Sequence, residues 1–258
     1  FLIFLPNKMG VLNEKMCKQS VLLCYNNFIK LFKNNLIIIK MTINKIEDIT
    51  NTFYINLENR PDRKKLIEDQ LSEQNVDKDR IHRIDAYYTP NNGHYGCAKS
   101  HVDALKDAIL HNYKNILILE DDFHFNLKKS EISNVIDRIF NEVGEKWDII
   151  LLARVNGKLE DTKYDFLDKV NGEASTASGY IVNNHYYQIL LDKFQYCVDN
   201  MIVDHTSQKG FETYAIDQQW KELQNKDKWY STKPLLGSQG RAASSIQATT
   251  KYEFFINF

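Results

Sequence analysis

The stretch NILILEDD at residues 115–122 decides the fold, because an apolar run leads directly into three consecutive carboxylates. An uninterrupted apolar run of this length is typical of a strand that is covered on both faces of a sheet. TFYINL (52–57) and WDIILL (147–152) have the same character. Amphipathic helical stretches separate these runs, and alternation of this kind predicts an α/β domain with a mainly parallel mixed sheet flanked by helices.

The helices are predicted from spacing and from start signals. Asn59 is a candidate cap with Pro61 in the first turn, so a helix is expected from there to about Gln74. A second helix is predicted from Gly96 to about Asn112. The remaining predicted elements are helices at 130–142, 185–197 and 216–224, strands at 80–86 and 178–182, an extended piece at 228–236, and polar loops at 87–95 and 153–177.

The net charge is distributed unevenly along the chain, with a basic N-terminal segment and an acidic remainder. The 258 residues carry 33 Lys and Arg against 34 Asp and Glu, a formal net charge of −1. Residues 1–40 contain six Lys and one acid, about +5, which leaves about −6 for residues 41–258. A chain with this balance lacks the clustered cations of a sequence-independent nucleic-acid binder, so no nucleic-acid partner is expected. We predict a basic segment at 1–40 and a single domain at 41–258.

Three interpretations of residues 1–40 remain open. The segment is translated sequence upstream of a start at Met41, a basic amphipathic helix on a membrane surface or against the domain, or a degenerate anchor. Its apolar pieces are short and interrupted by Asn and Lys, so membrane contact is expected to be peripheral at most. The expected location is the cytoplasm, with the lumen of the endoplasmic reticulum as the alternative, and the sequence does not determine the oligomeric state.

The three carboxylates after the strand are candidates for a cation site. Adjacent like charges are costly when desolvated, and a hard cation such as Mn²⁺ or Mg²⁺ offsets that cost because it prefers carboxylate oxygen. Ligands of open α/β sheets bind beyond the carboxyl ends of the strands. Strand alternation points Glu120 and Asp122 one way and Asp121 the other. A solvated strand end or a helix cap is the alternative.

The ordered motifs of this chain resemble glycosyltransferase family 25, which includes bacterial lipooligosaccharide galactosyltransferases and procollagen galactosyltransferases. The chain departs from the family pattern at 93–96, where Gly-His-Tyr-Gly stands and an acid is expected near the second glycine. The matching segments are FYINLENRPDRK (53–64), GCAKSH (96–101), NILILEDD (115–122), WDIILLAR (147–154), SGYIV (178–182) and, more weakly, IDQQW (216–220) through PLLGSQGRAASSI (234–246).

The resemblance implies a GT-A-like fold and a metal-dependent, inverting transfer of galactose or glucose. The implied donor is a UDP-sugar, the cofactor Mn²⁺ or Mg²⁺, and the acceptor a hydroxyl of a glycan, a glycolipid or a collagen-like hydroxylysine. Asp122 is then the metal ligand. Inversion needs a general base for the acceptor hydroxyl, and Asp217 is the candidate, with a helix cap as its alternative role.

Under the same resemblance, a larger set of residues is expected to bind the nucleotide sugar. The guanidinium groups of Arg60 and Arg63 suit phosphate, although a solvated helix face is the alternative. Lys99 and Ser100 lie in the first turn of the helix predicted from Gly96, where free N–H groups attract anions. The full set is Asn56, Leu57, Arg60, Arg63, Asp85, Lys99, Ser100, Glu120, Asp121, Arg154 and Gln239.

Two other functional classes remain open at this level. A magnesium-dependent phosphoryl-transfer or nuclease-like enzyme would also place carboxylates at strand ends. The sequence has no P-loop, and residues 41–258 have no basic patch. A non-catalytic relic that binds a nucleotide sugar is the second alternative.

Overall fold

A computed structural model of the protein describes residue 49, residues 51–203 and residues 212–240. The predicted basic segment at 1–40 and the end of the last motif block, 241–246, lie outside these described residues. The division of the chain at residue 41 therefore stays a prediction.

The centre of the domain is an eight-stranded mixed sheet in the order β2-β1-β3-β8-β5-β9-β7-β6. Pairs β1–β2, β1–β3 and β5–β9 are parallel and the other neighbouring pairs are antiparallel, so all strands except β7 and β8 run in one direction. The α/β class with a mainly parallel mixed sheet is confirmed. The strands are β1 Asn51–Asn56, β2 Ile81–Asp85, β3 Asn115–Glu120, β5 Ile149–Leu151, β6 Leu159–Asp161, β7 Leu167–Val170, β8 Gly179–Asn183 and β9 Trp229–Thr232.

Helices cover both faces of this sheet. On one face α2 and α4 bury Val102 and Phe194 against Ile118, and on the other α1 and α3 bury Ile67 and Ile136 in the core that holds Leu117. Alternate residues of β3 therefore enter opposite cores, as its apolar run predicts. Among the described residues, no helix has the length and apolar character needed to cross a membrane. The helices are α1 Pro61–Glu73, α2 Gly93–Leu110, α3 Lys129–Arg138, α4 Tyr187–Val203, α5 Ile216–Gln219 and α6 Lys221–Gln224.

Two predicted helix starts are wrong by one to three residues. The cap position of α1 is Arg60 rather than Asn59, with Pro61 as the first helical residue. The second helix begins at Gly93 instead of Gly96, because the side chain of Asn92 accepts a hydrogen bond of 3.1 Å from the backbone N–H of Tyr95 and caps the helix there.

The segment predicted as a long polar loop at 153–177 contains β6 and β7, which form an antiparallel hairpin at one edge of the sheet. A second, two-stranded sheet pairs β4 (Phe123–Phe125) with β10 (Gly237–Gln239). A Cβ at Gly237 would lie 2.0 Å from the ring of Phe123, so only glycine permits this approach. The pairing brings residues 237–240 against the acidic turn after β3.

Candidate active site at the carboxyl edge of the sheet

A pocket with about 670 Å³ of empty space, partly open to solvent, lies beyond the carboxyl ends of β1 and β3 and beside the start of α2. Ligands of open α/β sheets bind at such an edge. Seven of the predicted site residues line this pocket: Leu57, Arg63, Ser100, Glu120, Asp121, Asp122 and Gln239. Four of the motif segments, 53–64, 96–101, 115–122 and 234–246, thus contribute residues to this pocket.

The three carboxylates converge on the pocket, contrary to the alternation expected from a continued strand. Glu120 is the last residue of β3, and the chain turns at Asp121 and Asp122. All three side chains line the pocket because a turn, unlike a strand, does not alternate faces.

Arg63 is the cation that faces this cluster. It lies on the buried stripe of α1 with Ile67 and Leu71, at helical spacing. Its Nη1 is 3.0 Å from Oδ1 of Asp121 and 3.5 Å from Oδ2 of Asp122. The alternative of a solvated helix face is therefore wrong for Arg63.

Asp122 is buried without full compensation. Only 7% of the residue is exposed, and its Oδ1 has no hydrogen-bond partner among the described residues. Burial, and next the charge of Glu120, raise the pKa of Asp122 to about 7 against an ordinary 3.8. A carboxylate in this position is costly to ionise, and a cation at Oδ1 would offset the cost.

Glu120 has a different environment although it is only two residues away. Burial alone would raise the pKa of Glu120, but hydrogen bonds from His101 and Cys97 and the charge of Arg63 hold it below the ordinary value. Neighbouring carboxyl groups whose pKa values are driven apart are typical of sites that bind or transfer charge.

Two amide side chains hold the carboxylates from opposite sides. Nδ2 of Asn56 donates to Oδ2 of Asp121 at 2.7 Å. Nε2 of Gln239 lies 3.5 Å from both Oε2 of Glu120 and Oδ2 of Asp122. Asn56 of β1 and Gln239 of β10 therefore contact the acidic cluster, and their predicted role in binding the nucleotide sugar stays a prediction.

Asp217 does not line the pocket, but hydrogen bonds through Thr176 connect it to Gln239, which does. It lies in the first turn of α5, whose cap residue is Ala215. Its Oδ2 accepts a hydrogen bond of 2.9 Å from the backbone N–H of Thr176, and Oγ1 of Thr176 donates to Oε1 of Gln239 at 2.7 Å. The side chain holds the segment before β8 instead of capping its own helix.

Three residues predicted for nucleotide binding form pairs with neighbours that do not line the pocket. Nη2 of Arg60 pairs with the exposed Asp62 at 2.8 Å. The exposed side chain of Asp85, at the end of β2, pairs with Arg83. Nε of Arg154 donates to Oγ of Ser231 at 3.1 Å, and Nη1 to a backbone carbonyl at 2.8 Å. None of the three lines the pocket.

Lys99 and Ser100 were predicted to lie in the first turn of their helix, and this prediction is wrong. Because α2 begins at Gly93, both residues lie in its second turn. Oγ of Ser100 donates to the carbonyl of Gly96 at 2.7 Å and accepts from the N–H of Tyr87 at 3.1 Å. Nζ of Lys99 lies 4.4 Å from the ring centroid of Tyr87. Ser100 thus shapes the pocket wall, and Lys99 supports its rim.

Two aromatic residues at the pocket rim are absent from the set predicted from the sequence. Tyr87 and Tyr88 line the pocket with 40% and 65% of their surface exposed. Three other large aromatic residues, Tyr180, Trp220 and Trp229, are fully buried in the core. The sequence feature that could have identified them is their position, since the two tyrosines directly follow the strand predicted at 80–86 and begin a polar loop.

No protein-family model and no curated protein matches the sequence. Among solved structures, the chain is similar to mannose-1-phosphate geranyltransferase from Thermus thermophilus, with a TM-score of 0.40, 7% identity and coverage of 72% of this chain. The chain spans 59% of the length of that protein. It is also similar to A197 from STIV, with a TM-score of 0.37, 13% identity, and coverage of 70% of this chain and 80% of that one.

A third similar structure is a glycosyltransferase involved in the glycosylation of the major capsid of PBCV-1. Its TM-score is 0.37, its identity 10%, and the match covers 71% of this chain and 92% of that one. Because all three TM-scores lie below 0.5, the fold given above rests on the strand order and register rather than on these neighbours.

Proposed function

We propose that this protein is a metal-dependent, inverting glycosyltransferase that moves galactose or glucose from a UDP-sugar to a hydroxyl of a glycan, a glycolipid or a collagen-like acceptor. The observation that carries the proposal is the burial of Asp122 beside Glu120 in a pocket at the carboxyl edge of the sheet, where one oxygen of its carboxylate has no hydrogen-bond partner within the described part of the chain. The motif order that resembles glycosyltransferase family 25 supports the donor class.

The residues present fit a hard divalent cation such as Mn²⁺ or Mg²⁺. The donor set is all oxygen, and Oδ1 of Asp122 has no competing hydrogen bond among the described residues. Asp122 would hold the ion, with Asp121 and Glu120 beside it. When bound, the ion supplies charge neutralisation for the diphosphate of the donor and for the leaving group.

The pocket rim offers a surface for the base or the sugar of the donor. Tyr87 is fixed by a hydrogen bond of 2.8 Å from its hydroxyl to Oδ2 of Asp103 and by Lys99 above its ring. A fixed aromatic face binds a flat ring with little loss of conformational entropy. Tyr88, more exposed, extends the same rim toward solvent.

Asp217→Asn tests the general base. Direct displacement requires a group that takes the proton of the acceptor hydroxyl, and such groups contribute about 10²–10⁴-fold. Asparagine can still accept the hydrogen bond from Thr176, so we expect kcat to fall by about that factor while the KM for the UDP-sugar changes less. Steady-state UDP release measures both constants.

Glu222→Gln is the matched control, since Glu222 pairs with Lys193 at the surface at 3.0 Å. We expect its kcat to equal that of the wild-type protein. An Asp217→Asn variant with wild-type kcat and an unchanged pH profile would show that Asp217 only holds Thr176.

A donor screen tests the proposed function as a whole. The protein is incubated with Mn²⁺ and each UDP-sugar in turn, and UDP release is measured. We expect release with UDP-galactose or UDP-glucose and none in excess chelator. UDP binding in a thermal-shift assay without release from any donor would favour the non-catalytic relic, and cleavage of a nucleoside triphosphate or of DNA would favour the phosphoryl-transfer or nuclease class.

A further inference from the structure

Three unlike donor atoms meet at the inner wall of the pocket. Cys97 and His101 lie one turn apart on α2, and Glu120 ends β3. Oε1 of Glu120 lies 3.4 Å from Sγ of Cys97 and 3.4 Å from Nε2 of His101. All three donor atoms lie within 4.8 Å of one another.

The separations suit a cation site as well as a hydrogen-bonded cluster. N–H···O bonds are commonly about 2.7–3.2 Å long, so the hydrogen bond of 3.4 Å between His101 and Glu120 is a long one. Tetrahedral Zn²⁺ has ligand distances of about 2.3 Å to sulfur and about 2.0–2.2 Å to nitrogen and oxygen, which puts its ligands roughly 3.4–3.6 Å apart. Both measured distances to Glu120 lie close to that range.

His101 is held in the way that a ligating imidazole requires. It is fully buried, and its Nδ1 lies 2.8 Å from the hydroxyl oxygen of Tyr180, which is also fully buried. With an ion bound, Nδ1–H would donate to that oxygen and hold the ring, and the Nε2 lone pair would face the ion in place of the hydrogen bond to Glu120. Cys97 and Glu120 both line the pocket, so a fourth ligand position faces its empty space.

We propose that Cys97, His101 and Glu120 form a zinc site whose fourth position is open to the pocket. A set of one sulfur, one nitrogen and one oxygen favours Zn²⁺ over the Mn²⁺ or Mg²⁺ proposed at Asp122, which prefer oxygen alone. Binding releases the thiol proton of Cys97 to solvent, because the thiolate is the ligand. The site does not depend on the proposed transferase activity.

Cobalt is the probe, because a thiolate ligand gives Co²⁺ an intense near-ultraviolet charge-transfer band. The protein carries Cys17→Ser and Cys24→Ser, is stripped with chelator, and is titrated first with Co²⁺ and then with Zn²⁺. We expect one equivalent of Co²⁺ to produce the band and Zn²⁺ to abolish it. Cys97→Ser should remove the band, and Cys197→Ser, at a buried cysteine in α4, should keep it.

The proposal fails if the band is absent at millimolar Co²⁺, or if it survives in Cys97→Ser. Should Cys97→Ser not fold, His101→Gln replaces it. That variant must weaken Co²⁺ binding at least about tenfold, and unchanged affinity overturns the site. Asp122→Asn should keep the band, which separates the two cation sites.

The two proposals can fail separately. UDP release without a cobalt band overturns only the zinc site. A cobalt band without UDP release from any donor overturns only the transferase.

Discussion

Asp122→Asn is expected to lower UDP release with Mn²⁺ by about 10³-fold, because it removes the carboxylate that we propose as the ligand of the ion and with it several kcal/mol of charge stabilisation. Steady-state UDP release under saturating donor measures the effect. Full activity in this variant, or in the wild-type protein in excess chelator, would contradict the proposed metal dependence.

The same substitution is expected to stabilise the metal-free protein at neutral and higher pH. The pKa of Asp122, about 7 in the folded state against 3.8, means that the folded protein holds this proton more tightly than the unfolded chain. Stability is therefore lost as the pH rises from about 4 to 7, by about 2–4 kcal/mol in total. The Asp122→Asn variant has no titrating carboxyl group at this position, so this loss of stability should be absent from it.

Thermal unfolding in the presence of chelator measures this pH-dependent difference in stability between the variant and the wild-type protein. Asp122→Asn should unfold at a higher temperature than the wild-type protein at pH 8, and the difference should vanish near pH 4. The surface variant Asp69→Asn, which breaks an exposed pair with Lys65 (2.7 Å), is the matched control and should change the midpoint little. A lower midpoint for Asp122→Asn at pH 8 would show that the carboxylate is compensated in the folded state.

Arg63→Met is expected to have the largest effect on stability, lowering the free energy of unfolding by about 3–5 kcal/mol. The side chains of Arg63, Asp121 and Asp122 are 7%, 11% and 8% exposed, so removing the cation leaves buried carboxylates without their partner. Methionine keeps the apolar part of the side chain in place. Denaturant unfolding at pH 8 gives the difference.

Arg60→Met is the matched control for this prediction. Its partner, Asp62, is 60% exposed, and surface pairs of this kind contribute little to stability because solvent screens the two charges. The cost of Arg63→Met should shrink as the pH falls toward 4, where the unpaired carboxyl groups become protonated. Equal costs for the two variants would mean that Arg63 does not stabilise the cluster.

A double-variant cycle tests the coupling. In an Asp122→Asn background one buried carboxylate is already gone, so Arg63→Met should cost less than it does alone. Strict additivity of the two changes would contradict a direct interaction between Arg63 and Asp122.

Much of the fold could be predicted from local patterns. The apolar run of 115–119 predicted a strand buried on both faces, and its alternate residues do enter opposite cores. Helix starts were predicted less accurately. The second helix was expected to begin at Gly96, but Asn92 caps it and it begins three residues earlier, at Gly93. The hairpin of β6 and β7 was missed because its strands are only three and four residues long, and its place in the sheet depends on the pairing of β7 with the distant β9.

The site was predictable in its acidic part and less so in its partners. Consecutive carboxylates after a buried strand mark the edge of a sheet where ligands bind. The need of Arg63 for an anionic partner could be predicted from the sequence. Arg63 shares a helix face with Ile67 and Leu71, and an arginine on a buried face needs such a partner. Which anion it meets depends on how α1 packs on the sheet.

The sequence by itself determined the alternation of strands and helices, the acidic end of β3, and the helical spacing that puts Cys97 and His101 on one face, because these properties depend on neighbours along the chain. Only the tertiary structure decided that Arg63 pairs with Asp121 and Asp122, that β10 brings Gln239 to Glu120 and Asp122, and that Glu120 meets the face of α2. Those contacts join residues 19 to 119 positions apart. They are fixed by sheet register and by the turn after β3, whose geometry depends on the packing of the whole domain.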